Sequence, residues 1–142
     1  MIKIKKPYLI KYNIYPEFNG TLIPFYTSNF FPKKFLLKRF FTLYGKKKYF
    51  RADHAHRKCT QIIIPIRGKV KLLIKGRNYN KIFELTVKKK RAIVIPPFNW
   101  VKIFFNNTDD SILILCDYKY DKKEYISEYQ NFKKIISKWN YL

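Results

Sequence analysis

The chain has 142 residues, 47% hydrophobic and 19% aromatic, a composition that excludes disorder and predicts one domain with its own buried core. Lys and Arg number 31 against 9 Asp and Glu, a formal net charge of +22, which draws polyanions such as nucleic acid or an anionic membrane face. No apolar run reaches the roughly 18 residues of a membrane span, and the basic start "MIKIKKPYLIKYNIYPEF" lacks a signal-peptide core, so the expectation is a soluble, cytoplasmic protein.

From residue 7 to about 120, short β-rich runs alternate with turn residues. In chain order they are "YLIKYNIY", "GTLIPFY", "KFLLKRFFTLY", "YFRADHAH", "QIIIPI", "KVKLLIK", "KIFELTV", "RAIVIP", "WVKIFF" and "SILILCDYKY". Gly20, Gly45, Gly68, Gly76, the pair Pro96 and Pro97, and "NNTDD" punctuate them. Many short strands at this spacing predict an all-β sandwich or barrel. Cys59 and Cys116 fall in strand-like runs at no metal or redox spacing, and read as buried free thiols. The Lys runs at 46–48 and 88–90 read as solvated turns.

The tail changes period. Tyr125, Ile126, Tyr129, Phe132, Ile135, Ile136 and Trp139 recur at helical spacing, which predicts one C-terminal helix over 121–138 packed on the β body. Asp121 and Glu124 form a capping-box pattern at its start. Five lysines on the other face leave a membrane-surface helix as the alternative. The tyrosines 118, 120, 125 and 129 read as packing residues.

Only two histidines occur, His54 and His56, in "RADHAHRKC". On a strand, positions i and i+2 share a face, so both imidazoles project together. Strict alternation puts Arg51 with Asp53 on the other face, and only a bulge brings it round. Such a pair suggests a metal site first, but Gln61 stands where a carboxylate ligand would help and there is no third histidine. Proton transfer is the second possibility, since imidazole serves as base and acid near neutral pH. Cationic surroundings and the neighbouring ring favour neutral histidines. Structural histidines hydrogen-bonded inside a barrel are the third reading.

The segments "KRFFTLY", "FRADHAHRKCTQIIIPIRGKVKLLIKG", "AIVIPPFNW" and "DYKYDKKEYISEYQNFKKII" resemble the nucleotide-sugar 3,4-ketoisomerases of the cupin superfamily over about residues 19 to 136. That resemblance implies a metal-free, cofactor-free cupin jelly-roll (double-stranded β-helix) barrel in a homodimer. Residues 1–32 would supply N-terminal strands, exchanged between subunits, and 33–120 the barrel. It implies a dTDP-linked 4-keto-6-deoxy sugar as substrate: a base removes the C3 proton, an enediol forms, and a proton returned to C4 leaves a 3-keto product. Such a product feeds an aminotransferase in deoxyamino-sugar and surface-glycan biosynthesis, as for lipopolysaccharide O-antigen. By resemblance His54 is the base and His56 its proton-handling neighbour. Arg39, Arg51 and Gln61 match polar pocket positions, and Trp100 stands as either a ligand platform or a core wall.

Three positions depart from the pattern. Phe41 replaces a tyrosine, and Tyr44 cannot substitute because an offset of three puts it on the opposite strand face. Asn19 replaces an arginine before Gly20, and Val101 replaces a histidine after Trp100. Two other readings therefore stay open: a catalytically impaired cupin that binds a sugar nucleotide, and an epimerase on a related dTDP-sugar. No nucleic-acid partner and no membrane span are expected.

Overall fold

β-branched and aromatic residues dominate the middle of the chain, and there the backbone is almost entirely strand. The computed structural model describes residues 3–141; residues 1, 2 and 142, part of the expected domain, lie outside the described residues. In chain order the first elements are β1 (Lys3–Ile4), β2 (Tyr8–Lys11), β3 (Tyr15–Glu17), β4 (Gly20–Leu22) and the short helix α1 (Thr27–Phe30). Then come β5 (Arg39–Tyr44), β6 (Phe50–His56), β7 (Gln61–Arg67), β8 (Lys69–Lys75), β9 (Asn80–Thr86) and β10 (Arg91–Ile95). The chain ends with β11 (Trp100–Phe105), β12 (Ser111–Cys116), β13 (Tyr125–Ile126), α2 (Tyr129–Ile136) and β14 (Asn140–Tyr141).

Two five-stranded sheets carry the fold, in the orders β2-β10-β7-β12-β5 and β13-β6-β11-β8-β9. Every pairing within them is antiparallel. Among the described residues no ladder joins the two sheets. Their facing sides interdigitate: Ile63, Ile93, Ile112 and Ile114 from the first meet Leu72, Ile74, Leu85, Val101 and Ile103 from the second. Each such side chain, fully buried, contributes roughly 1.5–3 kcal/mol.

The first sheet is also covered outside, where Tyr12, Phe30 and Phe35 pack on Ile62, Ile64, Val94 and Leu115. That double burial is why β7 and β10 read as continuous apolar runs and not as alternating ones. The second sheet is covered by α2, whose Phe132 and Ile136 bury against Ala55, Trp100 and Ile126. A stripe packed this way is core and not a membrane-facing surface.

The expected helix over 121–138 is shorter than its periodicity suggested. Lys122–Glu124 is a single 3₁₀ turn, Tyr125–Ile126 pairs as a strand with His56 and Ala55, and only Tyr129–Ile136 is α-helical. Asp121 does cap, its carboxylate accepting from Lys123 N–H at 2.9 Å, but the reciprocal half of the capping box is missing because Glu124 turns inward to the histidines. The run 8–15 also divides, into β2 and β3, and only Arg39–Tyr44 of the run 34–44 is strand.

One irregularity lies just before the histidine pair. The β6–β11 register passes from Ala52 opposite Lys102 to His54 opposite Val101, leaving Asp53 unpaired in a bulge. Ala52 and Asp53 both have left-handed backbones, with φ of 66° and 67°, each costing roughly 1–2 kcal/mol for a residue with a Cβ.

Candidate active site

At one side of the molecule the edge strand β5 of the first sheet faces β6 and β13 of the second. Half-buried and exposed residues alternate along β5, which turns Arg39, Phe41 and Leu43 inward. From β6 come His54 and His56, their ring centres 5.0 Å apart and nearly perpendicular. The pairing of Tyr125 with His56 brings the phenol ring over both, 4.9 Å from His54 and 4.4 Å from His56. Arg39 Nη2 donates across the gap to the Tyr125 hydroxyl at 3.4 Å. Cys116 pairs with both Arg39 and Gln61 in the first sheet, so all three share one rung. The Cys116 Sγ accepts from Arg39 Nη2 at 3.7 Å and from Gln61 Nε2 at 3.6 Å.

Glu124 fixes the chemistry of His56. The carboxylate is buried, and its Oε1 accepts a hydrogen bond from His56 Nδ1. Its Oε2 accepts from the backbone N–H groups of Arg57, Lys58 and Cys59 at 3.0, 3.2 and 3.4 Å. Burial alone would raise the Glu124 carboxyl, but the bonds from His56 and this backbone cradle hold it below the usual carboxylate range. With Nδ1 committed as donor, neutral His56 carries its lone pair on Nε2, and that buried atom has no hydrogen-bond partner among the described residues. His54 differs: burial, then the charge of His56, bring its pKa down to about 4, against weaker opposing effects that include a bond to the Ala52 backbone. At neutral pH it is an uncharged base.

The structure thus brings together His54, His56, Arg39 and Gln61. Arg51 joins them through the bulge. It stands opposite Ile103 as His54 stands opposite Val101, and directly opposed residues share a sheet face. Ile103 and Val101 both belong to the core between the sheets, and Arg51, exposed, sits at the rim. Trp100 is elsewhere: its ring lies on the outer face against Tyr129 and Phe132, as the core wall. Phe41 lies under Arg39, 5.3 Å from ring centre to guanidinium, Tyr44 is exposed on the other strand face, and Asn19 is exposed in the β3–β4 turn.

Two residues of the cluster, Glu124 and Tyr125, carry in the sequence only the pattern of a cap and a packing ring. The signal that finds Glu124 is scarcity, since a carboxylate amid lysines in a chain of 9 acids has many exposed partners and uses none of them here.

His56, Cys59 and Glu124 place donor atoms within 4.8 Å of one another, a set able to hold a soft divalent cation. Both Glu124 oxygens are already bound, however, and the two thiols engage each other: their mutual hydrogen bond lowers Cys116, beside Arg39 and Gln61, and raises Cys59. Hydrogen bonds thus engage Glu124 and His56 Nδ1 as the group stands, while His56 Nε2 is left without a partner among the described residues. A cleft of about 570 Å³ lined by Lys33, Lys34, Arg57 and Lys58 lies apart from the paired imidazoles.

Known proteins share this fold. The family described as "FdtA: WxcM-like, C-terminal" matches residues 5–137. A TDP-4-oxo-6-deoxy-alpha-D-glucose-3,4-oxoisomerase of Aneurinibacillus thermoaerophilus is 29% identical over 108 residues, 75% of this chain and 76% of the relative. The sugar 3,4-ketoisomerase QdtA of Thermoanaerobacterium thermosaccharolyticum, solved with TDP, superposes with a TM-score of 0.85 at 28% identity, covering 94% of this chain and 96% of that one. A histidine-to-asparagine variant of QdtA, solved with TDP-4-keto-6-deoxyglucose, matches with the same score at 27% identity, covering 94% and 95%.

Proposed function

The chain belongs to the FdtA, WxcM-like C-terminal family, and on that premise we propose that it is a sugar-nucleotide isomerase that interconverts the 4-keto and 3-keto forms of a dTDP-linked 6-deoxyhexose. The observation that carries this reading is the unlike pair of imidazoles: His54 uncharged, and His56 anchored at Nδ1 by a buried carboxylate with Nε2 left free. Two bases on one face can serve two adjacent carbons.

Neutral His54 takes the proton from C3, and the electron pair of that C–H bond forms the C3–C4 double bond as the C4 carbonyl oxygen accepts a proton. The enediol collapses when C4 receives a proton and the C3 hydroxyl gives its own up, leaving a C3 ketone. His56 relays protons between the carbons and oxygens, with Glu124 supporting the imidazolium whenever it forms. Arg39 and Gln61 hold the sugar, and Arg51 at the rim meets the diphosphate, where a guanidinium bonds two oxygens at once. Trp100, on the outer face, has no part in this contact set.

The two sheets are read as a cupin jelly-roll whose open side is the β5–β6 edge. The protein is read as a homodimer, supported by an N-terminal hairpin whose apolar side chains are exposed. No helix among the described residues is long and apolar enough to cross a membrane. A nucleotide-linked substrate and free buried thiols favour the cytoplasm.

The test is proton NMR of dTDP-4-keto-6-deoxyglucose in deuterium oxide, with His54→Asn alongside. Wild type should lose the C3 proton signal and accumulate the 3-keto sugar, while the variant does neither. A wild type that binds the sugar nucleotide and leaves that proton in place sinks the isomerase reading in favour of a binding protein.

A further inference from the structure

The two left-handed residues of β6 stand just before His54; Ala52 packs on the core between the sheets and its backbone bonds His54, while the side chain of Asp53 is held on the opposite side of the sheet. If β6 alternated strictly, Arg51 would face outward; the inserted residue gives Arg51 and His54 the same face. Asp53, the unpaired residue, turns outward and its Oδ1 accepts from the Trp100 indole N–H at 3.1 Å, with Lys102 Nζ 3.8 Å away. Trp100 is itself held, with its ring centre 5.1 Å from Tyr129 and 5.5 Å from Phe132 of α2.

We propose that the Trp100–Asp53 hydrogen bond is a latch that keeps the bulge in β6 and so keeps Arg51 on the active-site face. Trp100 and Asp53 are then positioning residues: they touch no reacting atom and act through the backbone of β6. The proposal rests on the isomerase reading for its kinetic consequences. Its logic is one of competing registers. A left-handed Ala or Asp is disfavoured, so without an anchor β6 draws Asp53 into the ladder, and every residue before it changes face. Arg51 leaves the rim, while His54 and His56, held by Val101 and by β13, stay. Lys102, more distant and partly exposed, cannot hold Asp53 alone.

Trp100→Phe tests this, because phenylalanine keeps a ring against α2 and removes only the indole donor. Affinity for dTDP by calorimetry and KM for the nucleotide sugar should both weaken about tenfold, the ratio set by the cost of one left-handed residue, with kcat changing less. Adding Ala52→Gly should restore both, since glycine adopts positive φ without the Cβ clash. Unchanged dTDP affinity in Trp100→Phe overturns the latch. A loss that Ala52→Gly fails to recover also overturns it, and assigns Trp100 to packing α2 alone. If wild type binds dTDP but converts no sugar, the isomerase reading fails, and the affinity series still decides the latch.

Discussion

Glu124 and His54 carry the acid–base chemistry of the candidate site, and each makes a separate prediction. Glu124 supports His56 as a buried carboxylate supports the imidazole of a catalytic triad, fixing which nitrogen carries the proton and stabilising the charged ring. Glu124→Gln keeps the shape and deletes the charge, so kcat should fall about 10²-fold or more, with dTDP affinity nearly unchanged because no phosphate contact is lost. Equal activity in the glutamine variant would mean that His56 needs no counter-charge. For His54 the sign follows from linkage. The unfolded imidazole binds a proton as pH falls below its ordinary 6.5, while the folded one resists until about 4, so stability drops as pH falls through that window and is pH-independent above it. The lowered pKa corresponds to a contribution on the order of 3 kcal/mol. Thermal unfolding from pH 7.5 to 4 should show a steeper acid loss for wild type than for His54→Asn; parallel curves would mean that His54 is freely protonated in the folded protein.

At the scale of elements, legibility followed burial pattern. β8 and β11 appear where "KVKLLIK" and "WVKIFF" put them, because period-2 alternation and β-branched side chains reinforce each other. The tail was legible as apolar but not as divided. Tyr125 and Ile126 continue the helical stripe in sequence, yet β6 offers them an unpaired edge, and sheet pairing there outweighs a turn of helix. That pairing puts Tyr125 over the imidazoles and Glu124 beneath His56, so the two missed site residues and the misread helix start have one cause. The bulge in β6 lay further out of reach. Nothing in "FRADHAH" marks Ala52 and Asp53 as left-handed; the partner that makes it tolerable, Trp100, lies 47 positions on. Alternation alone could say only that Arg51 needed such a bulge to join the histidines, and the register supplies it.

For the molecule as a whole, charge and apolar exposure pull in opposite directions. With a formal +22, two copies repel one another, yet the β3–β4 hairpin is a separate two-stranded sheet with Tyr15, Phe18 and Leu22 exposed, Phe18 fully so. A hairpin of this size is marginal on its own, and a second copy would cover it and the nearby edge strand β2, where Tyr8 and Leu9 are also exposed. Association driven by apolar burial against like-charge repulsion strengthens with salt, because screening shortens the reach of the repulsion to about 10 Å at 0.1 M. Anion binding at the rim has the opposite dependence, since the same screening weakens attraction for the diphosphate. Light scattering should therefore find twice the protomer mass, with the dimer tightening from low to moderate salt while the KM for the nucleotide sugar rises. Phe18→Asp with Leu22→Asp should shift the mass toward the monomer and leave the folded β body intact by circular dichroism. A wild type that is monomeric at every salt concentration would sink the dimer and leave the hairpin's exposed rings without a partner copy; a dimer unaffected by both aspartates would move the interface off this hairpin, to surfaces where repulsion between the cationic faces must be offset by other contacts.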